Sequence, residues 1–415
     1  MPFDENSPNI DALLLGTVLL LELSDRDRRV AARRYPLVKE HLDRPSSALR
    51  PYLIDERSRI YPQGSRAIGA TIVHGADDED RFDLDAILEF PVPAGWAPSD
   101  VLDILEESLE GFPDAIGVKR CKRCVQLQFA FMHLDVTPMD PRPLPRQERV
   151  GDIFHAPGDA PSRRFAVNPY GFSEWFRETV VLPSSDHRKR ILDMRKVILP
   201  KDRISRGMTF FAKADLDDLP ADRHPLADAP QVLALKLMKR FLNLRYADRR
   251  LARPPSVLLT KMAALVPPGH NGLCAQLENY AAHVRTRMDE AIGAGGTLDE
   301  RNPAFQEERL TDRWPSSKAD LETLRKDMAH LCARLQAARS TEFRDIQGIL
   351  SELFGERVTE RSVRSYIEAA HRGASTPHYQ PGAGFVSAPA LSMVPAAAKT
   401  LRAPSHSFHA GHLRR

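Results

Sequence analysis

Cysteine and long apolar runs are both scarce in this sequence. Four cysteines in 415 residues do not make a disulfide framework, and no cleavable signal peptide precedes them, which favours a reducing, cytoplasmic setting. The one run that resembles a membrane segment, Ala12 to Leu23, is shorter than the about 20 residues of a span and contains Glu22. The run therefore predicts a buried helix, and we expect no membrane partner.

A large excess of charge of one sign is also absent. The chain has 59 Lys and Arg against 56 Asp and Glu, for a formal net charge of +3. This balance excludes a strongly basic surface over the whole molecule, so a nucleic acid is neither the expected partner nor a required activator. The hydrophobic content of 42% and the charged content of 28% are typical of globular proteins, and the length favours two packed lobes.

The first part of the chain alternates between helical and strand-like patterns. Helical spacing over residues 8 to 44 predicts an opening helix or helix pair, and Ser99 to Leu109 predicts a later helix. Proline, glycine and aspartate between 141 and 161 predict a long loop that follows the last strand. The predicted strands are Thr71 to Val73, Leu84 to Phe90, Val125 to Phe131 and Leu134 to Val136.

The second part is predicted to be helical. From Gly171 to about Ala370 the apolar residues recur at spacings of three and four, with almost no alternation. After Arg372 the composition shifts to Ala, Pro, Ser, Gly and His, which cannot bury enough apolar surface to offset the entropy of ordering. We therefore predict an α+β protein with a mixed α/β lobe over 1–165, a helical lobe over 166–372 and a disordered tail over 373–415.

A set of acids carries the sharpest functional signal. Asp83 and Asp85 lie two apart in a predicted strand, so both carboxylates project from one face. Adjacent carboxylates repel each other unless a divalent cation neutralises them, and Mg²⁺ prefers oxygen ligands that it shares with phosphates. Asp135 lies in a second apolar strand pattern. If the two strands are neighbours, the three acids converge.

The turn Gly64-Ser65, after Gln63, supplies the complementary half of the site. A glycine lets the backbone approach a phosphate closely, while a serine hydroxyl and nearby N–H groups donate hydrogen bonds to its oxygens. Three acids and a phosphate cradle together favour in-line phosphoryl transfer with two metal ions. We expect the nucleotides to bind in the cleft between the lobes.

These residues resemble the polymerase-β-type nucleotidyltransferase superfamily. More narrowly, the chain is similar to the CD-NTases, bacterial cyclic oligonucleotide synthases of CBASS anti-phage defence and relatives of the cyclic GMP-AMP and oligoadenylate synthases. The resemblance spans roughly residues 8 to 370. The supporting segments are Leu134 to Pro138, Asn168 to Phe176, Lys239-Arg240, Pro255 to Val257, and Asn302 to Trp314.

The resemblance implies a set of residue roles and partners. The 1–165 lobe, with its N-terminal helix, becomes a nucleotidyltransferase core that binds two Mg²⁺, with Mn²⁺ as a substitute. The expected substrates are ATP, GTP or both, with pyrimidine triphosphates as an alternative, and an accessory protein of the defence system is an expected partner of the tail. The implied catalytic and metal-binding residues are Asp83, Asp85 and Asp135, and the implied nucleotide-binding residues are Gln63, Gly64, Ser65, Lys239 (alternatively Lys236) and Ser256.

The implied reaction joins nucleoside triphosphates, with release of pyrophosphate, into a cyclic di- or trinucleotide that serves as an antiviral second messenger. One alternative is a nucleotidyltransferase that adds a nucleotide to an RNA end, a protein or a small molecule. An alternative of another class is a nucleotide-binding sensor or scaffold without activity, which the presence of all three acids disfavours.

Several further patterns have simpler interpretations. Asp77 to Asp80 are interpreted as solvated loop residues, Cys121-x-x-Cys124 as a hairpin edge instead of a zinc site, and His133 as a structural histidine. The basic stretch from Asp186 to Arg206 is interpreted as a solvated face of an amphipathic helix instead of a nucleic-acid site.

Overall fold

The computed structural model describes most of the chain. The described residues are 7–53, 58–73, 81–143, 149–198, 223–249, 251–269, 271–374, 378–380 and 384–386. Asp77 to Asp80, whose solvation was predicted, lie outside them. Within the described ranges, no helix combines the length and the apolar character needed to cross a membrane.

Two helices open the fold, as the periodicity predicts. Helix α1 (Ser7–Leu20) is followed by α2 (Asp25–Leu42). Ser24 caps α2: its hydroxyl accepts from the backbone N–H of Asp27, whose side chain accepts from the backbone N–H of Ser24. The run from Ala12 to Leu21 is buried throughout, which confirms the predicted buried helix.

A mixed sheet forms the centre of the first lobe. Its strand order is β1-β2-β5-β4-β3, and β6 and β7 extend it from the second half of β5. Strands β2 and β5 are parallel and all other pairs are antiparallel. The strands are β1 (Arg59–Gln63), β2 (Phe82–Glu89), β3 (Gly117–Arg120), β4 (Val125–Gln128), β5 (Met132–Pro141), β6 (Gly151–His155) and β7 (Arg163–Val167).

The two faces of this sheet have opposite characters. Apolar residues at alternate positions, such as Leu84 and Leu134, join the core that α2 and helix α4 (Pro98–Leu109) build. The short helix α3 (Gly64–Ala67) lies between β1 and β2. Since side chains alternate along a strand, Asp83, Asp85 and Asp135 project from the opposite face.

One strand prediction and part of one loop prediction are wrong. Thr71 to Val73 is not a strand: Ile72 packs into the core of the helical lobe, and the N–H of Val73 donates to the carbonyl of Leu21 at 2.8 Å. Its apolar character reflects burial among helices, which a short run cannot distinguish from a strand. The predicted loop from Gly151 contains β6 instead, because its glycine and proline neighbours hide the apolar pair Ile153-Phe154.

The second lobe is helical, as predicted. Its core includes α1 together with Ile68, Ala70 and Ile72 of the segment after α3. The lobe boundary between residues 165 and 166 stays a prediction, and so does the disorder of the tail. In the described part of the tail, strands β10 (His378–Gln380) and β11 (Gly384–Val386) pair with each other. The lobe contains α5 (Pro169–Thr179), α6 (Ser185–Ile198), α7 (Pro230–Tyr246), α8 (Ser256–Ala264), α9 (Gly272–Gly293), the hairpin β8 (Arg301–Asn302) and β9 (Phe305–Arg309), α10 (Lys318–Ser340), α11 (Phe343–Phe354) and α12 (Glu356–Ala374).

Two of the family-like segments meet where the lobes join. Asn168 caps α5 by accepting from the N–H of Gly171 at 2.7 Å. Its own N–H donates to Glu308 at 2.8 Å, and its carbonyl accepts from Asn302 at 3.0 Å. These bonds connect the end of the sheet to the small hairpin of the helical lobe.

Candidate active site

The Gly64-Ser65 turn lies directly against the acidic strand. Gly64 has φ +58°, and a Cβ there would approach Oδ2 of Asp85 to 2.5 Å. Both the backbone conformation and the space therefore require glycine. The Ser65 hydroxyl hydrogen-bonds the Thr71 hydroxyl at 3.2 Å, and the Ser65 carbonyl accepts from the N–H of Ala70 at 2.9 Å.

The sheet register brings the three acids to one face. Asp85 pairs with Gln63 of β1 on one side and with Asp135 of β5 on the other. Asp83 lies two residues earlier on the same face of β2, where it is exposed to solvent. The neighbouring β2 and β5 thus satisfy the condition on which the predicted convergence depends.

The three acids also interact electrostatically. Burial, together with the charges of Asp135 and Asp83, raises the pKa of Asp85 to about 7, against the opposing charge of Lys239. Burial also raises the pKa of Asp135, to which the side-chain amide of Gln126 donates at 2.9 Å. Neither Asp85 nor Asp135 forms an ion pair with another described residue. Asp85 and Asp135 therefore carry negative potential that no direct ion pair with a described residue offsets, although Lys239 lies near enough to act on Asp85.

This donor set suits a divalent cation. Its ligands are carboxylate oxygens, which Mg²⁺ and Mn²⁺ prefer, and a bound cation would relieve the repulsion that raises the pKa of Asp85. Across the described ranges, however, no three His, Cys, Asp or Glu side chains already form a finished metal shell. The three carboxylates project from one face of the sheet, and their side chains would have to move closer together to bind a shared metal ion.

Residues that the sequence interpretation missed hold the acids in place. Gln126 of β4 pairs in register with Asp135, and the thiol of Cys124 also hydrogen-bonds that carboxylate. The Tyr35 hydroxyl donates to the carbonyl of Asp85 at 3.4 Å. Alternation in the β4 pattern could have identified Gln126, whereas nothing local marks Tyr35, which comes from α2.

The predicted hairpin edge at Cys121 is confirmed. Cys121 and Cys124 flank the turn between β3 and β4, and the N–H of Cys121 donates to the carbonyl of Cys124 at 2.8 Å. Both cysteines are free thiols. No zinc shell is present among the described side chains.

The two candidate lysines have different surroundings. The Lys239 ammonium donates to the carbonyl of Ala70 at 3.1 Å, beside the Gly64 turn. Burial and the charge of Arg253 lower its pKa to about 8, and Asp85 and Asp83 oppose that shift. Lys236 instead bonds Glu22 at 2.7 Å and the carbonyl of Ala227 at 3.0 Å. The structure thus brings Lys239, and not Lys236, to the acids.

Two further residues mark the helical side of the site. Ser256 is the exposed first residue of α8, and no described contact joins it to the acids. Arg253, just before it, interacts electrostatically with Asp83 and Lys239. Arg253 is a candidate phosphate-binding cation that the sequence interpretation missed, because only tertiary packing brings this loop to β2.

Comparisons with known proteins determine the family. No protein-family model matches the chain. Over 408 residues this chain is 32% identical to the cyclic dinucleotide synthase CdnG of Bradyrhizobium diazoefficiens. The alignment covers 96% of this chain and 94% of the relative. A solved structure of that CD-NTase in complex with GTP superposes with a TM-score of 0.71 and covers 86% of this chain and 99% of its own. The chain belongs to the CD-NTase family.

As a CD-NTase, the chain is a nucleotidyltransferase with a polymerase-β-like lobe and a helical lobe. A second relative, a c-di-GMP synthase of Roseivirga ehrenbergii, is 24% identical over 261 residues and covers 61% of each chain. Both named relatives are cyclic dinucleotide synthases. Family membership confirms the predicted fold and enzyme class and leaves the individual residue roles as predictions.

Proposed function

We propose that this CD-NTase condenses two nucleoside triphosphates, GTP among them, into a cyclic dinucleotide. The observation that carries the proposal is the register of Asp85 with Asp135, beside a turn whose positive φ and close contact with Asp85 strongly favour glycine. The names of both relatives and the GTP complex of CdnG support the product class and the substrate. A ring of two nucleotides is favoured over three because both relatives are named for dinucleotides.

In the proposed reaction, an acceptor ribose hydroxyl attacks the α-phosphorus of the donor, a new O–P bond forms and pyrophosphate leaves. Gly64, Ser65 and Lys239 hold the donor triphosphate, and Arg253 adds a further positive charge beside it. A second, identical step in the same cleft joins the free ends and closes the ring. Positioning and charge neutralisation supply most of the catalysis in such a step.

Asp83, Asp85 and Asp135 would hold the Mg²⁺ pair, for which Mn²⁺ could substitute. When bound, these ions lower the pKa of the attacking hydroxyl and stabilise the leaving pyrophosphate. Gln126 and Cys124 orient the Asp135 carboxylate through their hydrogen bonds. Gly64 leaves room for the Asp85 carboxylate beneath the cradle.

The test is mass spectrometry of the products from all four triphosphates with Mg²⁺, together with pyrophosphate release. We expect a small, phosphatase-resistant product from the wild type and none from the Asp83→Asn, Asp85→Asn double variant. Asp103→Asn is the matched control, since Asp103 is an exposed acid of α4 that pairs with Arg120. Synthesis by the double variant would refute the acid assignment.

The same assay separates the competing functions. Label on an RNA end, a protein or a small molecule would identify single-nucleotide transfer. The absence of pyrophosphate release under every condition tried would favour a silent sensor or scaffold. All three acids are in one neighbourhood, which favours an active enzyme over that sensor.

We further propose that the product is a cytoplasmic second messenger in anti-phage defence and that an accessory protein acts on the tail. The support is the family membership alone. Phage plating on cells that carry the chain's genomic neighbourhood tests this role. Protection that is equal with the wild type and with the Asp83→Asn, Asp85→Asn variant would contradict it.

A further inference from the structure

A polar cavity borders the segment that carries the phosphate cradle. We call it the Glu22 pocket; its cavity volume is about 40 Å³, and it is lined by Glu22, Arg28, Arg66, Thr71, Arg223 and Lys236, among others. None of Asp83, Asp85, Asp135 and Lys239 lines it. The pocket is therefore separate from the acids, although Arg66 and Thr71 belong to the segment that also carries Ser65.

A network of ion pairs centred on the buried Glu22 lines one side of the Glu22 pocket. Glu22 is 4% exposed and accepts from Lys236 at 2.7 Å, from Arg223 at 2.8 Å and from Arg195 at 2.9 Å. Asp228 also pairs with Arg195. Buried charges persist only where partners and hydrogen bonds satisfy them, so this network fixes the positions of the cations around the cavity.

Positive charge exceeds negative charge around the cavity. Three carboxylates, Glu22, Asp25 and Asp228, face five cationic side chains. Arg66 is half-buried and forms no ion pair with any other described residue. The cations are Arg28, Arg66, Arg195, Arg223 and Lys236.

Arg28 carries a second, independent sign of a missing partner. It is 6% exposed, yet its Nε has no hydrogen-bond partner among the described residues. Its other nitrogens bond the carbonyl of Leu23 and the carboxylate of Asp25. Burial lowers the pKa of Arg28 to about 9, and the charges of Arg223, Arg195 and Arg66 contribute to this shift. An anion in the cavity would compensate both the orphaned donor and the excess charge.

The pocket is connected to the cradle by short contacts. Thr71 lines the pocket and hydrogen-bonds the Ser65 hydroxyl at 3.2 Å. His224 lies so close to Gly69 that a Cβ on this glycine would approach it to 2.8 Å, and its ring also hydrogen-bonds the backbone of Ala67. A ligand that shifts Arg66 or Thr71 therefore acts on the segment that holds the donor phosphates.

We propose that the Glu22 pocket binds a small dianion, which bears either a phosphate or two carboxylates, and that its occupancy changes the affinity of the cradle for the donor triphosphate. The charge excess sets the charge of the ligand, since arginine clusters bind both phosphates and carboxylates in forked geometry. The cavity volume of about 40 Å³ exceeds the ~10–15 Å³ that one water molecule needs, so it leaves room for a small anion.

The test is titration calorimetry of the full chain with inorganic phosphate and, in a second arm, with succinate, each against sodium chloride of equal ionic strength. We expect saturable binding of one ligand per chain in at least one arm, and the stronger arm identifies the ligand chemistry. Arg28→Gln and Arg66→Gln should each weaken it about tenfold, the loss of one charge-assisted hydrogen bond. No binding in either arm overturns the proposal.

Matched variants separate this site from the cradle. Arg33→Gln removes the same charge from α2, where Arg33 pairs with Glu40 at the surface, and should leave phosphate binding within about twofold. Lys239→Ala should also leave it unchanged. If Lys239→Ala abolishes phosphate binding and both arginine variants retain it, the ligand occupies the cradle and the proposal is wrong. Arg66→Gln keeps this test decisive if Arg28→Gln does not fold.

The coupling has its own readout, which needs no catalysis. The affinity for a non-hydrolysable GTP analogue is measured with and without the saturating pocket ligand. We expect a shift of about threefold or more in the wild type, the size typical of weak allosteric coupling, and a smaller shift in Arg28→Gln at the same ligand concentration. Equal affinities in the wild type would overturn the coupling. Because both arms measure binding, a failure of the proposed cyclisation would leave this result intact.

Discussion

Two acidic sites lie on either side of one short segment, residues 64–71, and they are built in opposite ways. At the sheet, Asp83, Asp85 and Asp135 gather with no ion-pair partner for Asp85 or Asp135 among the described residues, and the pKa of Asp85 rises to about 7. At the lobe junction, burial would raise the pKa of Glu22, but Lys236, Arg195 and Arg223 more than offset burial and hold it below its usual range. The first site is suited to bind a cation, whereas at the second the protein's own cations more than offset the charge of Glu22.

The two sites should differ most in how a substitution changes catalytic activity. Asp85→Asn should lower product formation on the order of a thousandfold, because it removes a charge that acts in the transition state. The folded state should not suffer, since like-charge repulsion is relieved. The measurement is pyrophosphate release together with the thermal midpoint, and a variant that is active or unfolded would contradict the account.

Glu22→Gln should have the opposite profile. It leaves the buried Arg195 and Lys236 and the half-buried Arg223 without their shared carboxylate, and breaking a buried pair costs about 3–5 kcal/mol in the free energy of unfolding. Urea denaturation measures this loss. Glu40→Gln, which breaks the exposed pair with Arg33, is the control and should cost less than about 1 kcal/mol. Similar losses in both variants would contradict the distinction.

A further difference between the two sites is that stabilisation of the fold by Mg²⁺ at the acid cluster should depend on pH. The folded-state pKa of Asp85, about 7, exceeds its ordinary value, so the folded chain binds this proton more tightly than the unfolded chain does. The Asp85 contribution to the free energy of unfolding therefore declines as pH rises from about 4 through 7. Mg²⁺ should raise the thermal midpoint more at pH 8 than at pH 6, in the absence of nucleotide. An equal rise at both pH values would contradict this assignment.

The two lysines, one helical turn apart, give the smallest expected effect. Lys239→Ala should raise the dissociation constant for a non-hydrolysable GTP analogue about tenfold, the loss of one charge-assisted contact. Lys236→Ala should leave that constant within about threefold and lower the thermal midpoint instead, because it unpairs Glu22. Calorimetry and thermal unfolding of both variants check the split. If Lys236→Ala weakened binding of the GTP analogue and Lys239→Ala lowered the thermal midpoint instead, the assignment of the two lysines would be reversed.

Much of the candidate site could be predicted from local patterns. The spacing of Asp83 and Asp85 fixes a shared face in any strand, and the apolar residues around Asp135 mark a neighbouring buried strand. Gly64 is likewise visible, since a glycine before a serine and an acidic strand suits a close phosphate approach. The helical second lobe follows from its periodicity. Each of these features depends on residues that are close together in the sequence, so tertiary packing did not change the predicted outcome.

The rest depends on contacts that sequence spacing does not encode. Thr71 to Val73 has the pattern of a strand, but helices of the second lobe bury it. Arg195, in the predicted solvated face, is 4% exposed and binds Glu22, because α6 packs against the turn after α1. Arg253 reaches Asp83 only through the packing of the lobes. Long-range packing decided each of these outcomes.

Electron paramagnetic resonance can count the metal ions that the acid cluster holds. Titration of the full chain with Mn²⁺, in the presence of a saturating non-hydrolysable GTP analogue, should give two tightly bound ions per chain for the wild type and fewer for Asp135→Asn. If Asp135→Asn bound both ions as tightly as the wild type, the acid cluster would not be the metal site.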